Sequence, residues 1–211
     1  IKLKALLPEV WDANLLEQSE SFIVFCDMDG VMCDFDLQFT QMIGSSPKEF
    51  ESQYGTLKFW NEIANKGELF WSSMEKMPDF TQLKDGIVKI VNDNNLDLQV
   101  LTSTSGNWII KNHPRDEAKE VIRNIEKGKL EWLRNNWPGL KVNFSGSGGS
   151  KAKFAKPNSC LIDDLSKNIE SFEAAGGKGI IHTTASKSLN DLQLLINQLP
   201  ESFGSVSYTH L

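Results

Sequence analysis

The 211-residue sequence predicts an α/β fold: a doubly wound parallel sheet with a small helical cap inserted after the first strand. Three observations carry this expectation. The apolar run Phe22-Ile23-Val24-Phe25-Cys26 ends abruptly in Asp27-Met28-Asp29-Gly30. Short apolar runs then alternate with helix-period stretches from residue 80 to residue 199, the pattern of βαβ units. Between these lies a polar and aromatic segment, 35–78, with helix start and stop signals of its own.

Five apolar residues bounded by a turn signal read as a strand covered on both faces. Acidic residues do not belong inside such a strand, so Asp27 and Asp29 fall at its carboxyl end, where open α/β sheets bind ligands. Residues two apart in an extended chain point the same way. Gly30 allows a sharp turn. An ordinary Asp-Gly turn accounts for Asp29-Gly30 but not for Asp27 directly behind five apolar residues.

Upstream, residues 1–21 mix Lys, Glu, Asp and Asn with Leu3, Leu6, Leu7, Val10 and Trp11. They read as an extension packed on the domain and lack a secretory apolar core. Starting at Ile1 rather than Met suggests trimming or a partial chain. In the inserted segment, Ser46-Pro47-Lys48-Glu49 is a capping box with Pro at the first helical position, and Gly55 ends that helix. Thr56 caps a second helix carrying Leu57, Trp60, Ile63 and Ala64, closed by Gly67. An insertion leaving from the carboxyl end of the first strand hangs over the acidic site.

The core resumes with a helix, 80–94, on which Leu83, Ile87, Ile90 and Val91 share a face. A strand over 96–101 stops at Thr102-Ser103-Thr104-Ser105-Gly106. A long helical region, 114–136, carries Ala118, Val121, Ile122, Ile125, Trp132 and Leu133 on one stripe, with Gly128 as a candidate break. Then come a strand over 141–145, a flexible Gly146-Ser147-Gly148-Gly149, a short helix over 150–155, and the strand Cys160-Leu161-Ile162 ending at Asp163-Asp164. A helix over 166–175 closes at Gly176-Gly177. Strand 179–182 and an amphipathic helix over 189–199 complete the domain, and 200–211 reads as an aperiodic tail. The organisation is therefore extension 1–21, core 22–34 with 79–199, cap 35–78 and tail 200–211.

Composition narrows the function classes. The chain is 40% hydrophobic and 24% charged, with net charge −6. That charge disfavours a surface wrapping duplex nucleic acid. No apolar run approaches the length of a membrane span. Cys26, Cys33 and Cys160 are odd in number and lack zinc spacing, so a reducing, cytoplasmic setting is the simplest expectation.

Right-handed crossovers gather the carboxyl ends of all strands on one edge. That edge collects Asp27/Asp29, Thr102/Ser103 and Asp163/Asp164, with Lys151 or Lys153 just upstream of the last pair. Carboxylates with water and a substrate phosphate suit Mg²⁺. Thr102, Ser103 and loop N–H groups suit phosphate oxygens, and a lysine offsets developing negative charge. An ionised Asp is then a competent nucleophile toward phosphorus, and a second carboxylate two residues on serves as acid and base.

The stretches Asp27-Met28-Asp29-Gly30-Val31, Leu101-Thr102-Ser103, Ser150-Lys151-Ala152-Lys153 and Leu161-Ile162-Asp163-Asp164 resemble, in order, the four motifs of the haloacid-dehalogenase-like (HAD) hydrolases. The resemblance covers roughly residues 22–199 and implies a Rossmann-like core. It implies Asp27 as nucleophile, Asp29 as acid and then base, Thr102 on the phosphate, and Lys151 steadying both; Lys153 is the alternative lysine. It also implies Mg²⁺ held by Asp27, Asp163, Asp164 and the Asp29 main-chain carbonyl. Asp34-Phe35, Phe70-Trp71 and Met74-Glu75-Lys76-Met77-Pro78 look most like the 5′(3′)-deoxyribonucleotidases. In that family cap aromatics stack on the base, so Phe70 and Trp71 join Ser103 as substrate-binding candidates; packing inside the cap is the competing role for both aromatics. Thr104 replaces the Pro that follows the family's Thr-Ser pair.

The leading expectation is a Mg²⁺-dependent phosphomonoesterase for a (deoxy)nucleoside monophosphate, a small-molecule substrate, with no membrane partner and a homodimer compatible with the sequence. The competing readings are a HAD phosphatase for another small ester or a polynucleotide end, and a non-catalytic binding module. His113 reads as a surface loop residue with possible reach to substrate, and His182 as structural. Trp132 and Trp137 read as packing on the sheet, as does Trp108, which could also reach the cleft.

Overall fold

A computed structural model describes residues 21–200, so the expectations for the amino-terminal extension and for the tail beyond 200 lie outside the described residues. Five strands form one parallel sheet: β1 (Ile23–Cys26), β2 (Asp97–Ser103), β3 (Lys141–Ser145), β4 (Ser159–Asp163) and β5 (Lys178–Ile181), in the order β3-β2-β1-β4-β5. The chain builds outward from β1 to β3 and then returns to lay β4 on the other side of β1. The topological switch therefore falls beside β1, where such sheets bind ligands. Register sets Cys26, the last residue of β1, against Val100 and Ile162, with β2 running on three residues to Ser103 and β4 one residue to Asp163. Asp27 thus emerges between the end of β2 and the end of β4.

Alternation along β1 separates two cores. Val24 and Cys26 join a large apolar cluster with Leu83, Ile87, Trp132 and Leu192, while Phe25 joins a smaller one with Leu101, Leu161, Ile169 and Phe172. The helices supplying these faces are α4 (Phe80–Asp93), α6 (Arg115–Asn136), α7 (Ser166–Ala174) and α8 (Ala185–Ile196).

Between β1 and α4 run three helices, α1 (Phe35–Ile43), α2 (Pro47–Lys66) and α3 (Glu68–Ser72). The Asp34 side chain accepts from Leu37 N–H to start α1, and the Ser46/Glu49 capping box starts α2 as its sequence signature predicts. At Gly55 the backbone leaves helical geometry (φ 80°, ψ 162°), so α2 is two helical segments across a kink, matching the expected pair. The outgoing and returning chains are tied together: Asp34 N–H donates to Glu75 O and Met77 N–H to Met32 O.

Among the described residues three helices had no expectation behind them: α1, α3 and α5 (Gly106–Asn112), the last lying between β2 and α6. Gly128 does not break α6, which runs unbroken from Arg115 to Asn136. A Cβ at 128 would lie 2.4 Å from Glu68 O and 2.6 Å from Trp71 Cβ. The glycine is there because α3 packs directly on the α6 backbone, and its helix-propensity cost of about 1 kcal/mol is outweighed by that packing. The short helix expected over 150–155 is a 3-10 helix, Gly148–Phe154, that begins inside the Gly/Ser run. Helix α8 starts four residues earlier than its apolar periodicity indicates, at Ala185, capped by Thr184.

Candidate active site

Asp27 lies one residue past β1, its N–H still donating to Ile162 O of β4. Its side chain is buried, 5% exposed, which an ionised carboxylate tolerates only with a partner. That partner is Lys151, whose Nζ is 2.7 Å from Asp27 Oδ2 and 2.6 Å from Asp163 Oδ2. Burial pulls the Lys151 ammonium down, but the Asp27 and Asp163 carboxylates outweigh it and hold it above its ordinary value. Lys153, the alternative, is exposed.

The two acidic residues after β4 are not equivalent. Asp163 is fully buried and saturated: Oδ2 takes Lys151, Oδ1 takes Leu165 N–H at 2.9 Å, and Asn168 Nδ2 donates to both oxygens. Asp164 points across to Gly30, where a Cβ would meet its Oδ2 at 2.4 Å. Gly30 is held at φ 74°, so the position excludes a side chain both by conformation and by space. Burial, then the charges of Asp27 and Asp163, push the Asp164 carboxyl up to about 7.

Ligand oxygens of Asp27, Asp163 and Asp164 lie within 4.8 Å of one another. Asp27 Oδ1 is buried without a hydrogen-bond partner. Three carboxylates thus share one ammonium, and one of their oxygens is orphaned. Hard oxygen donors in excess of local positive charge are the donor set that Mg²⁺ takes, so the residues present fit that ion.

On the β2 side, Asp29 meets a residue that the sequence reading did not single out. Lys129 of α6 is fully buried; its Nζ lies 2.6 Å from Asp29 Oδ2 and 2.8 Å from both Thr102 Oγ1 and Ser103 O. The Trp71 ring covers it, its centroid 4.7 Å from Nζ. The signal was available. Lys129 falls four residues after Ile125 and three before Trp132, on the apolar stripe of α6, where a lysine needs a buried partner. Burial raises the Asp29 carboxyl and the Lys129 charge opposes that rise.

Above these groups opens a cleft of about 500 Å³ lined by Asp27, Asp29, Ser103, Ser105, Lys151 and Asp164, with Phe35, Trp60 and Met77 as its apolar walls. Thr102 is fully buried and reaches the site only through its hydroxyl's contact with Lys129. Phe70 and Trp71 are buried behind Phe35, with ring centroids 5.5 and 6.0 Å from it. The aromatic faces nearest the cleft are therefore Phe35 and Trp60. Trp108 packs on Trp60, their centroids 6.0 Å apart, and on His113. His182 bonds Ser188 Oγ at 2.9 Å, away from the carboxylates. Trp132 is buried against Phe80, as is Trp137, and its Nε1 donates to Met74 O. Burial pushes the Cys26, Cys33 and Cys160 thiols up, so none is a nucleophile competing with Asp27.

No protein-family model matches the chain, and no curated protein does. Solved structures similar to it include a hydrolase from Pseudomonas syringae, 11% identical with a TM-score of 0.48 over 83% of this chain and 99% of that one. A haloacid dehalogenase-like family hydrolase from Xanthomonas campestris is 12% identical with a TM-score of 0.45, over 85% and 93% of the two chains. A D,D-heptose 1,7-bisphosphate phosphatase from Burkholderia thailandensis is 10% identical with a TM-score of 0.40, over 81% and 97%.

Proposed function

We propose that this chain is a Mg²⁺-dependent phosphomonoesterase that works through an aspartyl-phosphate on Asp27, with nucleoside monophosphates as its substrate class. The observation that carries the reading is the state of Asp27. One oxygen is held by a buried lysine, the other is buried without a partner, and two further carboxylates stand alongside. A structural ion pair has no use for the surplus negative charge. A phosphoryl-transfer site does, because a metal and a phosphoryl group together restore the balance.

In this reading Asp27 attacks phosphorus and the P–O bond to the leaving group breaks. Lys151 spends two of its three N–H donors on Asp27 and Asp163 and keeps one for a phosphoryl oxygen in the cleft it lines. Asp29 gives its proton to the departing oxygen, then takes one from the water that attacks the aspartyl-phosphate, returning Asp27 and releasing phosphate. Asp27, Asp164 and the Asp29 carbonyl, with Asp163 behind them, would hold Mg²⁺, which neutralises phosphoryl charge when bound. Ser103 serves the phosphate side, and Thr102 stands behind it as a partner of Lys129.

The helices α1–α3 act as a cap, and Phe35 and Trp60 offer flat faces to a base, with Phe70 and Trp71 supporting them from behind. Buried free thiols suit a cytoplasmic enzyme. Among the described residues no helix is long and apolar enough to cross a membrane.

The test is phosphate release from nucleoside and deoxynucleoside monophosphates and from sugar phosphates, with Mg²⁺, with EDTA, and with Asp27→Asn. Metal-dependent release favouring nucleotides supports the whole proposal. Release from other esters alone keeps the chemistry and removes the nucleotide. No release from any ester overturns it.

A further inference from the structure

We propose that Lys129 is the positioning residue for the proton-transfer carboxylate Asp29, an assignment that rests on the phosphomonoesterase reading above. The argument is a count of donors. An ammonium has three N–H bonds. Those of Lys129 are all spent, on Asp29 Oδ2, Thr102 Oγ1 and the Ser103 carbonyl, and the Trp71 ring closes its remaining side. The side chain is 0% exposed and is absent from the lining of the cleft. It has neither a donor nor a path for a phosphate, so it does not duplicate Lys151.

What the three bonds do is fix geometry. Asp29 sits at the turn where Gly30 bends the chain away, and two side-chain contacts restrain its carboxylate: Lys129 on Oδ2, and the weak Cys33 thiol 3.8 Å from Oδ1. By also holding the Thr102 hydroxyl and the Ser103 carbonyl, Lys129 ties the end of β2 to the loop after β1. A carboxyl with one oxygen committed to Lys129 handles its proton on the other. The distance from that oxygen to the leaving group is then set by α6, through a side chain that cannot swing.

This predicts a defect that depends on the leaving group. Benzyl phosphate expels an alkoxide that needs a proton, whereas 4-nitrophenyl phosphate expels a phenolate that does not. The ratio kcat/KM reports only the steps up to formation of the aspartyl-phosphate, so later hydrolysis does not enter. Lys129→Met should lower kcat/KM for benzyl phosphate about 100-fold, within the range for losing general acid catalysis, and for 4-nitrophenyl phosphate no more than about threefold. Asp29→Asn should show the same selectivity, and Lys129→Met should add no further selective loss in the Asp29→Asn background, because a residue acting through another is not additive with it. If Lys129→Met fails to melt cooperatively, Lys129→Gln, which keeps N–H donors without the charge, must show the same selectivity.

Equal losses on both esters, an additive double variant, or a Lys129 variant that cleaves benzyl phosphate as well as the wild type would each overturn the assignment. Wild-type protein inactive on both esters overturns the phosphomonoesterase reading, and the assignment falls with it. Wild-type protein active on both, with a Lys129 variant that loses both equally, removes only Lys129.

Discussion

The two flanks of β1 carry the same kind of pair, a carboxylate and a buried lysine, and use it differently. Toward β4, Asp27, Asp163 and Asp164 share the single ammonium of Lys151, and one Asp27 oxygen has no partner. Toward β2, Asp29 and Lys129 balance one to one, and every Lys129 donor is used. One flank is electrostatically incomplete and calls for a cation. The other is complete and serves as a fixed mount. Burial of charge is thus no single signal; what decides its meaning is whether donors and acceptors close on themselves.

The largest expected effect lies on the incomplete flank. Asp27→Asn should lower kcat by roughly 10⁶-fold, the order seen when a nucleophile is removed. Its melting temperature should not fall, because one of three crowded charges is gone. Retained phosphate release would show that the incomplete flank is not the reacting one. Next, Lys151→Met leaves two buried carboxylates without their cation and should destabilise the metal-free protein by about 3–5 kcal/mol in urea unfolding. A loss below about 1 kcal/mol would mean that water already neutralises this flank.

Metal and pH sharpen the same contrast. Mg²⁺ at 100 times its dissociation constant should stabilise the protein by about 2.7 kcal/mol. Asp164→Ala should remove most of that gain in thermal melting, whereas a variant on the β2 flank should keep it. Asp164 has its carboxyl raised to about 7, against an unfolded value of about 3.9. Its protonated form therefore contributes stability that is fully present below about pH 4 and is lost as pH rises through 7. EDTA-treated protein should melt progressively lower between about pH 4 and pH 7, the span of that loss. Asp164→Asn should flatten the slope, and an unchanged slope would place the titration elsewhere. The smallest effect belongs to the seam behind Lys129. Gly128→Ala forces a methyl against Glu68 O and should cost about 1–3 kcal/mol of overpacking, with the Mg²⁺ response intact.

How much of this was legible depended on how far apart the interacting residues lie in the chain. The sheet, its strand ends and the motif residues were readable because a buried strand ending in polar residues is a pattern of fewer than ten residues. Asp27, Asp29, Ser103, Lys151, Asp163 and Asp164 all come to one edge on that basis. Lys129 was not readable in this way. It sits 100 residues from Asp29, two residues after Lys127 in a stretch with Glu126 and Glu131 close by, and only its place on the apolar stripe of α6 betrays it. Gly128 was misread for a related reason: propensity sees a helix breaker, and the neighbouring helix that requires a glycine is remote in sequence. The difference between Asp163 and Asp164 was equally out of reach, because it depends on Asn168 and Lys151 reaching one carboxylate and Gly30 facing the other. Helix α5 starts from Ser105 in a left-handed conformation, φ 54°, without a side-chain cap bond, so no capping residue announces it.

The contact at Gly128 also governs traffic. Because α3 rests on the backbone of α6 with no room for a methyl group, that side of the insertion is closed, and the Trp71 ring closes it further over Lys129. The cleft that reaches Asp27 lies instead where Phe35 and Trp60 of the insertion face Ser103, Asp164 and Leu165 of the core. The doorway and the wall are built from the same short excursion of chain, so substitutions that widen the entrance can be made in α1 and α2 without disturbing the mount of Asp29.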